Sequence, residues 1–177
     1  GRDLGGDPGD ALFTAQPDKA QGRAFYKDVK GRMAKYGRSP DELAILPGAM
    51  IVVANTDAEA KETRAYLRSL IDVEFAVQYM SSLAGTDLSH LPLDKPLPDS
   101  LRSQPVWSRL ELMLDVAERD HLNFRELAIQ YTETYGHQFM VGSPATIADE
   151  LQDLFESEVA DGFLLRSPIY PKGLEDT

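Results

Sequence analysis

The segment 140–173, MVGSPATIADELQDLFESEVADGFLLRSPIYPKG, constrains the fold more than any other part of the sequence. Ser143 is placed to cap a helix, because its hydroxyl can accept a hydrogen bond from an otherwise orphan amide of the first turn. Pro144 follows at the first helical position, where no amide is wasted. Ile147, Leu151, Leu154 and Phe155 recur at i, i+4, i+7 and i+8 and make one apolar stripe. After Asp161-Gly162 comes Phe163-Leu164-Leu165, too short for a helix and apolar on both faces, which predicts a strand covered on both sides. Helix, short connection, buried strand and loop form one unit of a parallel α/β fold. Ligands in such folds bind in loops beyond the carboxyl ends of the strands, here residues 166–173.

The same unit is legible earlier in the chain. Ala11-Leu12-Phe13-Thr14 reads as a short strand, and a helix follows over about 17–36, with Phe25, Val29, Met33 and Tyr36 on its buried face and Gly37 just past its end. Residues 43–54 are strand material that Pro47-Gly48 splits into two extended pieces. Strand, crossover helix and strand over 11–54 imply parallel pairing. Thr56 and Glu59 form a capping box that opens a helix running to about residue 83, with Leu67, Leu70, Ile71 and Phe75 facing inward. Residues 84–106 hold four prolines and no sustained periodicity, which fits either a lid or binding loop or a wandering surface connection. Leu110, Met113, Leu114 and Ala117 mark a helix over about 107–119. Asn123 and Glu126 cap another, with Leu127, Ala128, Tyr131 and Tyr135 buried and Gly136 as its stop. The expected organisation is a strand–helix–strand unit at 11–54, a mostly helical insertion with the Pro-rich loop at 55–139, and a last helix–strand unit with its loop at 140–177.

Three core strands are visible, at 11–15, 44–46 (extending as far as 53) and 162–166. A closed barrel of eight parallel strands takes about 250 residues, and three strands as an open sheet would leave two bare edges. The chain therefore reads as part of a domain. A net charge of −11 argues against a nucleic-acid or anionic-membrane partner, either of which needs a cationic footprint. The absence of cysteine excludes disulfides, thiolate metal sites and a cysteine nucleophile. No apolar run approaches the roughly 20 residues of a membrane span, and the first residues, GRDLGGDPGD, lack the pattern of a signal peptide. A cytoplasmic chain is expected. It does not start with Met, so residue 1 need not be the natural start.

Of the three histidines, His90 lies in the Pro-rich loop and His137 at a helix-to-loop junction, both compatible with a pocket; a hydrogen-bonded or exposed imidazole is the plainer alternative. None has metal-ligand spacing to another, and the carboxylates are scattered over helix faces, so no metal site and no acid/base pair stand out. There is no dinucleotide fingerprint, P-loop or nucleophile elbow. Pro168, Tyr170 and Pro171 could line an aromatic pocket or simply end a loop. The residues alone define an architecture and no mechanism.

Read in order, FTAQ (Phe13 to Gln16), AFYKDVKGRMAKYGRSPDEL, ILPG, TDAEAKE, DLSHLPLDKPLP, VGSPATIADEL and ADGFLLRSPIYPKGLED resemble one family over essentially the whole chain. It is the nitrilotriacetate, dibenzothiophene-sulfone and pristinamycin synthase component A group of the bacterial luciferase-like flavin monooxygenases. The resemblance implies an α/β fold that is part of a TIM-like (β/α)8 barrel, its last strands, with a mostly helical insertion. It implies reduced FMN supplied by a separate NAD(P)H:flavin reductase, and insertion of one oxygen atom from O₂ into a small organic substrate. The cofactor carries the oxygen chemistry while the protein orients and excludes water. Most of the flavin site and the catalytic residues would lie in a first half not included here. Gly1-Arg2 resembles the Gly-Arg beside the family's flavin-phosphate site, although Gly5-Gly6-Asp7-Pro8-Gly9 would break the Ala-rich helix usual there. By position, Thr14, Gln16, His137 and the loop residues Ser167, Pro168 and Tyr170 are candidate substrate contacts. A homo-oligomer is also expected. Two alternatives stand beside this reading: a deazaflavin-dependent oxidoreductase of the same superfamily, which the DLSHLPLDKPLP block disfavours, and a non-catalytic fragment.

Overall fold

The computed structural model describes residues 9–103, 108–171 and 173. In chain order its main elements are β1 (Ala11–Thr14), α1 (Lys19–Met33), β2 (Ala44–Val53), α2 (Asp57–Ser69), α3 (Val73–Ala84), α4 (Ser108–Arg119), α5 (Phe124–Thr134), β3 (Gln138–Gly142), α6 (Pro144–Glu156) and β4 (Leu164–Arg166). They divide into two compact units, residues 65–136 and the flanking described residues of 1–64 and 137–177.

Everything in the sheet is organised on β2. β1 pairs with it from Ala11↔Ala44 to Thr14↔Pro47, β3 from Ala49↔Gln138 to Val53↔Gly142, and β4 from Gly48↔Leu164 to Met50↔Arg166. All three pairings are parallel. β2 is one continuous strand, so Pro47-Gly48 does not split it. The proline stands at the changeover, where the β1 ladder ends and pairing with β3 and β4 begins, a place that tolerates a missing amide. β3 corrects the count of three strands: QFMVG is too short to signal a strand by alternation, and it extends because β2 continues past the end of β1 and offers it a ladder.

Alternate residues of β2 face opposite ways. Ile45 packs with Val29 and Met33 of α1, and Leu12 joins the same cluster. Ala49 and Ile51 pack with Met140, Ile147 and Leu154, so the stripe read on α6 is buried against this face. Each large apolar side chain so buried contributes on the order of 1.5–3 kcal/mol. Leu164 and Leu165 are 43% and 42% exposed, so β4 is not covered on both sides as its composition predicts. Among the described residues β4 pairs with β2 alone, which leaves its far edge open.

At the amino-terminal ends of the strands a polar network is closed. Lys30 reaches from α1 to the Asp161 carboxylate at 2.9 Å and donates to the carbonyls of Pro40 and Leu43. Asp161 also accepts from the Tyr26 hydroxyl and from the Ile45 amide, each at 2.7 Å, while its own amide donates to the Ile45 carbonyl. The Tyr26 hydroxyl is pushed well above its ordinary range, first by burial and then by bonding to Asp161.

The unit 65–136 has its own core, in which Met80, Leu88, Leu110, Met113, Phe124 and Leu127 are fully buried. The single helix expected up to residue 83 is two helices. Asp72 accepts the Phe75 amide at 2.8 Å and so restarts the chain as an N-cap. The restart resets the helical phase: Leu70 and Phe75 point to solvent, and Ala76, Val77, Met80 and Ala84 take the inner positions. The capping box of Asn123 and Glu126 is fully formed. Tyr36, Tyr135 and Phe155 are exposed instead of buried; the first two lie beyond their helices' last regular turns.

Candidate functional site

The carboxyl end of β1, the start of β3 and the start of β4 converge around Gly48, in the middle of β2. The His137 ring lies directly on this glycine: a Cβ there would stand 2.6 Å from Nδ1 and 2.9 Å from Cε1. His137 is 5% exposed. Its ring meets Phe13 of β1 at 5.4 Å between centroids, tilted by 51°. Its Nε2 is 3.3 Å from Nη1 of Arg166 on β4. A guanidinium can only donate, so this contact makes Nε2 the acceptor and places the ring proton on Nδ1. Paired residues of neighbouring strands share a face, so Phe139, Met50 and Arg166 form one row across β3, β2 and β4. Arg64, arriving from α2, sets its guanidinium 4.8 Å over the Phe139 ring. This is the face opposite the α1 and α6 clusters.

The predicted site residues fall into three places. His137 is in the group just described. Thr14 and Gln16 are buried and bonded to each other, Gln16 Nε2 donating to Thr14 Oγ1 at 2.8 Å. Thr14 shares its strand face with Leu12, and Gln16 lies beside Gly22 of α1, so this pair sits on the helix side of the sheet. Ser167 is buried in the turn after β4, where its Oγ donates to the Ile169 carbonyl and accepts the Ile169 amide, both at 3.2 Å. With Val52, Asn55, Glu59, Pro144 and Ile169 it lines a cleft of about 470 Å³. Pro168 is half-buried and Tyr170, 66% exposed, precedes a cis Pro171; neither belongs to that lining. Gly1 and Arg2 lie outside the described residues.

Sequence reasoning missed Phe13, Gly48 and Arg64, and had Arg166 only as the first residue of the ligand-side loop 166–173. One signal was available: Arg166 is the only charged side chain in the four strands described. At the rim of the cleft, the Asp57 carboxylate accepts the Ser143 amide at 2.7 Å and the Thr146 hydroxyl at 2.8 Å. The Ser143 amide foremost holds it below the usual carboxylate range. Burial, and then the Asp57 charge, push Glu150 up. The two helix starts are thus already supplied with an anion by the chain itself. Among the described residues no group of three or more His, Asp or Glu could hold a metal, and no helix is long and apolar enough to cross a membrane.

Parallel strands joined by crossover helices make this an α/β chain, and its likeness to solved structures makes it part of a TIM-like β/α barrel. The family described as luciferase-like monooxygenase matches residues 1–161, and the chain belongs to that family. It is 38% identical to nitrilotriacetate monooxygenase component A of Aminobacter aminovorans over 99% of this chain and 39% of the relative. It is 35% identical to N-acetyl-S-(2-succino)cysteine monooxygenase of Bacillus subtilis strain 168 over 99% of this chain and 40% of the relative. The chain thus spans about two fifths of the length of these curated relatives. The crystal structure of DmoA from Hyphomicrobium sulfonivorans superposes with a TM-score of 0.83 at 21% identity, covering 99% of this chain and 36% of that one, a likeness of fold.

Proposed function

We propose that the protein carrying this chain is a two-component monooxygenase. It uses reduced FMN from a separate NAD(P)H:flavin reductase to insert one oxygen atom of O₂ into a small organic substrate. The observation that carries this reading is the family match over 1–161 together with a relative, named a monooxygenase component A, that aligns along nearly the whole chain. The deazaflavin-dependent alternative is less supported, because the curated relatives are named monooxygenases. The residues present fit a planar, mostly apolar ring system with a polar edge. Phe13 and Leu164 leave apolar surface 52% and 43% exposed on the face that also bears Arg166. When bound, reduced flavin supplies the reaction with O₂. This chain's part is to shape one wall: Phe13 and Leu164 present apolar surface, His137 packs on Gly48, and Arg166 brings a fixed positive charge. Thr14 and Gln16 hold the β1 end in place, and Ser167, Pro168 and Tyr170 form the loop at the mouth. Gly1 and Arg2 are assigned to the margin of the phosphate site.

The test is an anaerobic titration of the complete protein with reduced FMN, followed by turnover with a flavin reductase, NADH and isotopically labelled O₂. Saturable binding of reduced FMN and one labelled oxygen in the product are expected. A complete protein that does not bind reduced FMN refutes the reading.

A further inference from the structure

We infer that the groove between α3 and the proline-rich segment 87–93 is a second binding site, for a small zwitterion of the amino-acid class. Arg125 takes its carboxylate, and Glu74 and Asp87 take its ammonium. The groove encloses about 690 Å³, within the size range of small-molecule sites. It lies in the unit 65–136, and none of its lining residues is among those assigned to the flavin wall, so the site stands independently of the monooxygenase reading.

By sequence the proline-rich segment fits either a binding loop or a surface connection, and its bonding makes it a fixed wall. Leu88 is fully buried. Its amide donates to Ser81 Oγ at 3.0 Å, and that hydroxyl donates to the Val77 carbonyl of α3 at 2.8 Å. The Leu91 amide returns to the Leu88 carbonyl at 3.0 Å. Further along, the carbonyls of Leu93 and Lys95 accept the first amides of α5, from Arg125 at 3.0 Å and from Phe124 at 2.8 Å. A helix start leaves such amides without partners of its own, so the segment completes α5 as it passes. A wall held at both ends loses little freedom when a ligand binds.

The lining selects the ligand class. Val73, Val77 and Leu93 supply apolar surface, Glu74 and Asp87 two carboxylates, and Arg125 a guanidinium. Glu74 accepts from Gln78 Nε2 at 3.4 Å and Asp87 from the Ser89 amide at 2.9 Å, which leaves each carboxylate further acceptor sites. The Ser89 amide foremost, and then its hydroxyl, hold Asp87 below the usual carboxylate range. Among the described residues the Arg125 guanidinium forms no hydrogen bond or ion pair, so charges of both signs line one groove without cancelling each other. A simple anion would meet the two carboxylates, a simple cation would meet Arg125, and an apolar molecule would strip water from all three. A zwitterion on a short apolar body matches both signs, with the guanidinium fork suited to its carboxylate.

The experiment is a calorimetric titration of the complete protein with L-leucine and L-methionine, each against its N-acetyl derivative and its amide. At least one free amino acid binds saturably, and removal of either charge weakens it about tenfold or more, the scale of hydrogen bonds to charged groups. Arg125→Met abolishes the preference over the amide and keeps the preference over the N-acetyl form. Glu74→Gln combined with Asp87→Asn does the reverse. All three side chains are exposed, so the urea midpoint and the affinity for reduced FMN stay as in the parent. The proposal is overturned if neither amino acid binds, if the derivatives bind as well as the free form, or if Arg125→Met leaves the preference over the amide intact. It is equally overturned if reduced FMN displaces the amino acid and the substitutions have no effect, which would put the ligand at the flavin wall.

Discussion

At the amino-terminal ends of the strands, Lys30, Asp161, Tyr26 and the Ile45 backbone close on one another. At the carboxyl ends of the same strands, Phe13 is 52% exposed, and Arg166 projects from a row of apolar residues beside an imidazole laid on a glycine. Both ends contain a cation on or against the sheet, and the surroundings differ. Lys30 is 90% buried by side-chain area and meets two carbonyls and a carboxylate of its own chain, the arrangement of a residue that holds elements together. Arg166 sets its Nη1 3.3 Å from the His137 ring, on the face where Phe13 stays exposed. The contrast follows the general division of β/α barrels, in which one end of the strands carries stability and the other carries chemistry.

That contrast can be broken by substitution. Asp161→Ala should cost the most, roughly 3 kcal/mol, because it strands the buried Lys30 charge and frees the Ile45 amide; urea unfolding of the complete protein measures it, and a loss below about 1 kcal/mol would show that the network does not hold the sheet. Gly48→Val should cost about 1–3 kcal/mol by driving a side chain into the His137 ring. Its diagnostic is a loss of reduced-FMN binding that accompanies the loss of stability. Tyr26→Phe removes one hydrogen bond to Asp161 and should cost about 1 kcal/mol with ligand binding intact.

The smallest effect is expected at Asp57 and is seen through pH. Its folded-state carboxyl is held below the ordinary value, so its contribution is present above the usual carboxylate range and is lost as pH falls through about 4 and below. Asp57→Asn should therefore be less stable than the parent at neutral pH and converge with it in acid, below the usual carboxylate range. Glu150 has the opposite sign, since a raised carboxyl favours the fold in acid and loses that contribution as pH rises. Glu150→Gln should gain stability at neutral pH, and a parallel pair of acid unfolding curves would contradict both assignments.

Much of the frame was legible because it is local. Ser143-Pro144, Asn123 with Glu126 and the stripe through Ile147 and Leu154 each act within one or two turns, and all are realised. β3 was not legible, since five residues become a strand only because the exposed length of β2 extends beyond β1. The break at Asp72 was hidden by apolar residues that continue a helical period through it. The site was the least legible part. Thr14 and Gln16 sit near the end of the right strand, but pleat alternation turns Thr14 to the helix side with Leu12, and Phe13 is the residue that reaches His137. His137 was found by position at a junction; its partner Arg166 required the register of β4 on β2, which no local pattern encodes.

The most direct test sets Lys30→Met beside Arg166→Met in the complete protein and reads two quantities from each, the urea midpoint and the affinity for reduced FMN. The structure predicts that Lys30→Met lowers the midpoint and leaves affinity within about twofold. Arg166→Met should leave stability within about 1 kcal/mol and weaken reduced FMN at least about tenfold. If both variants lose stability and binding together, or if Arg166→Met loses only stability, the two ends of the sheet are not divided as described.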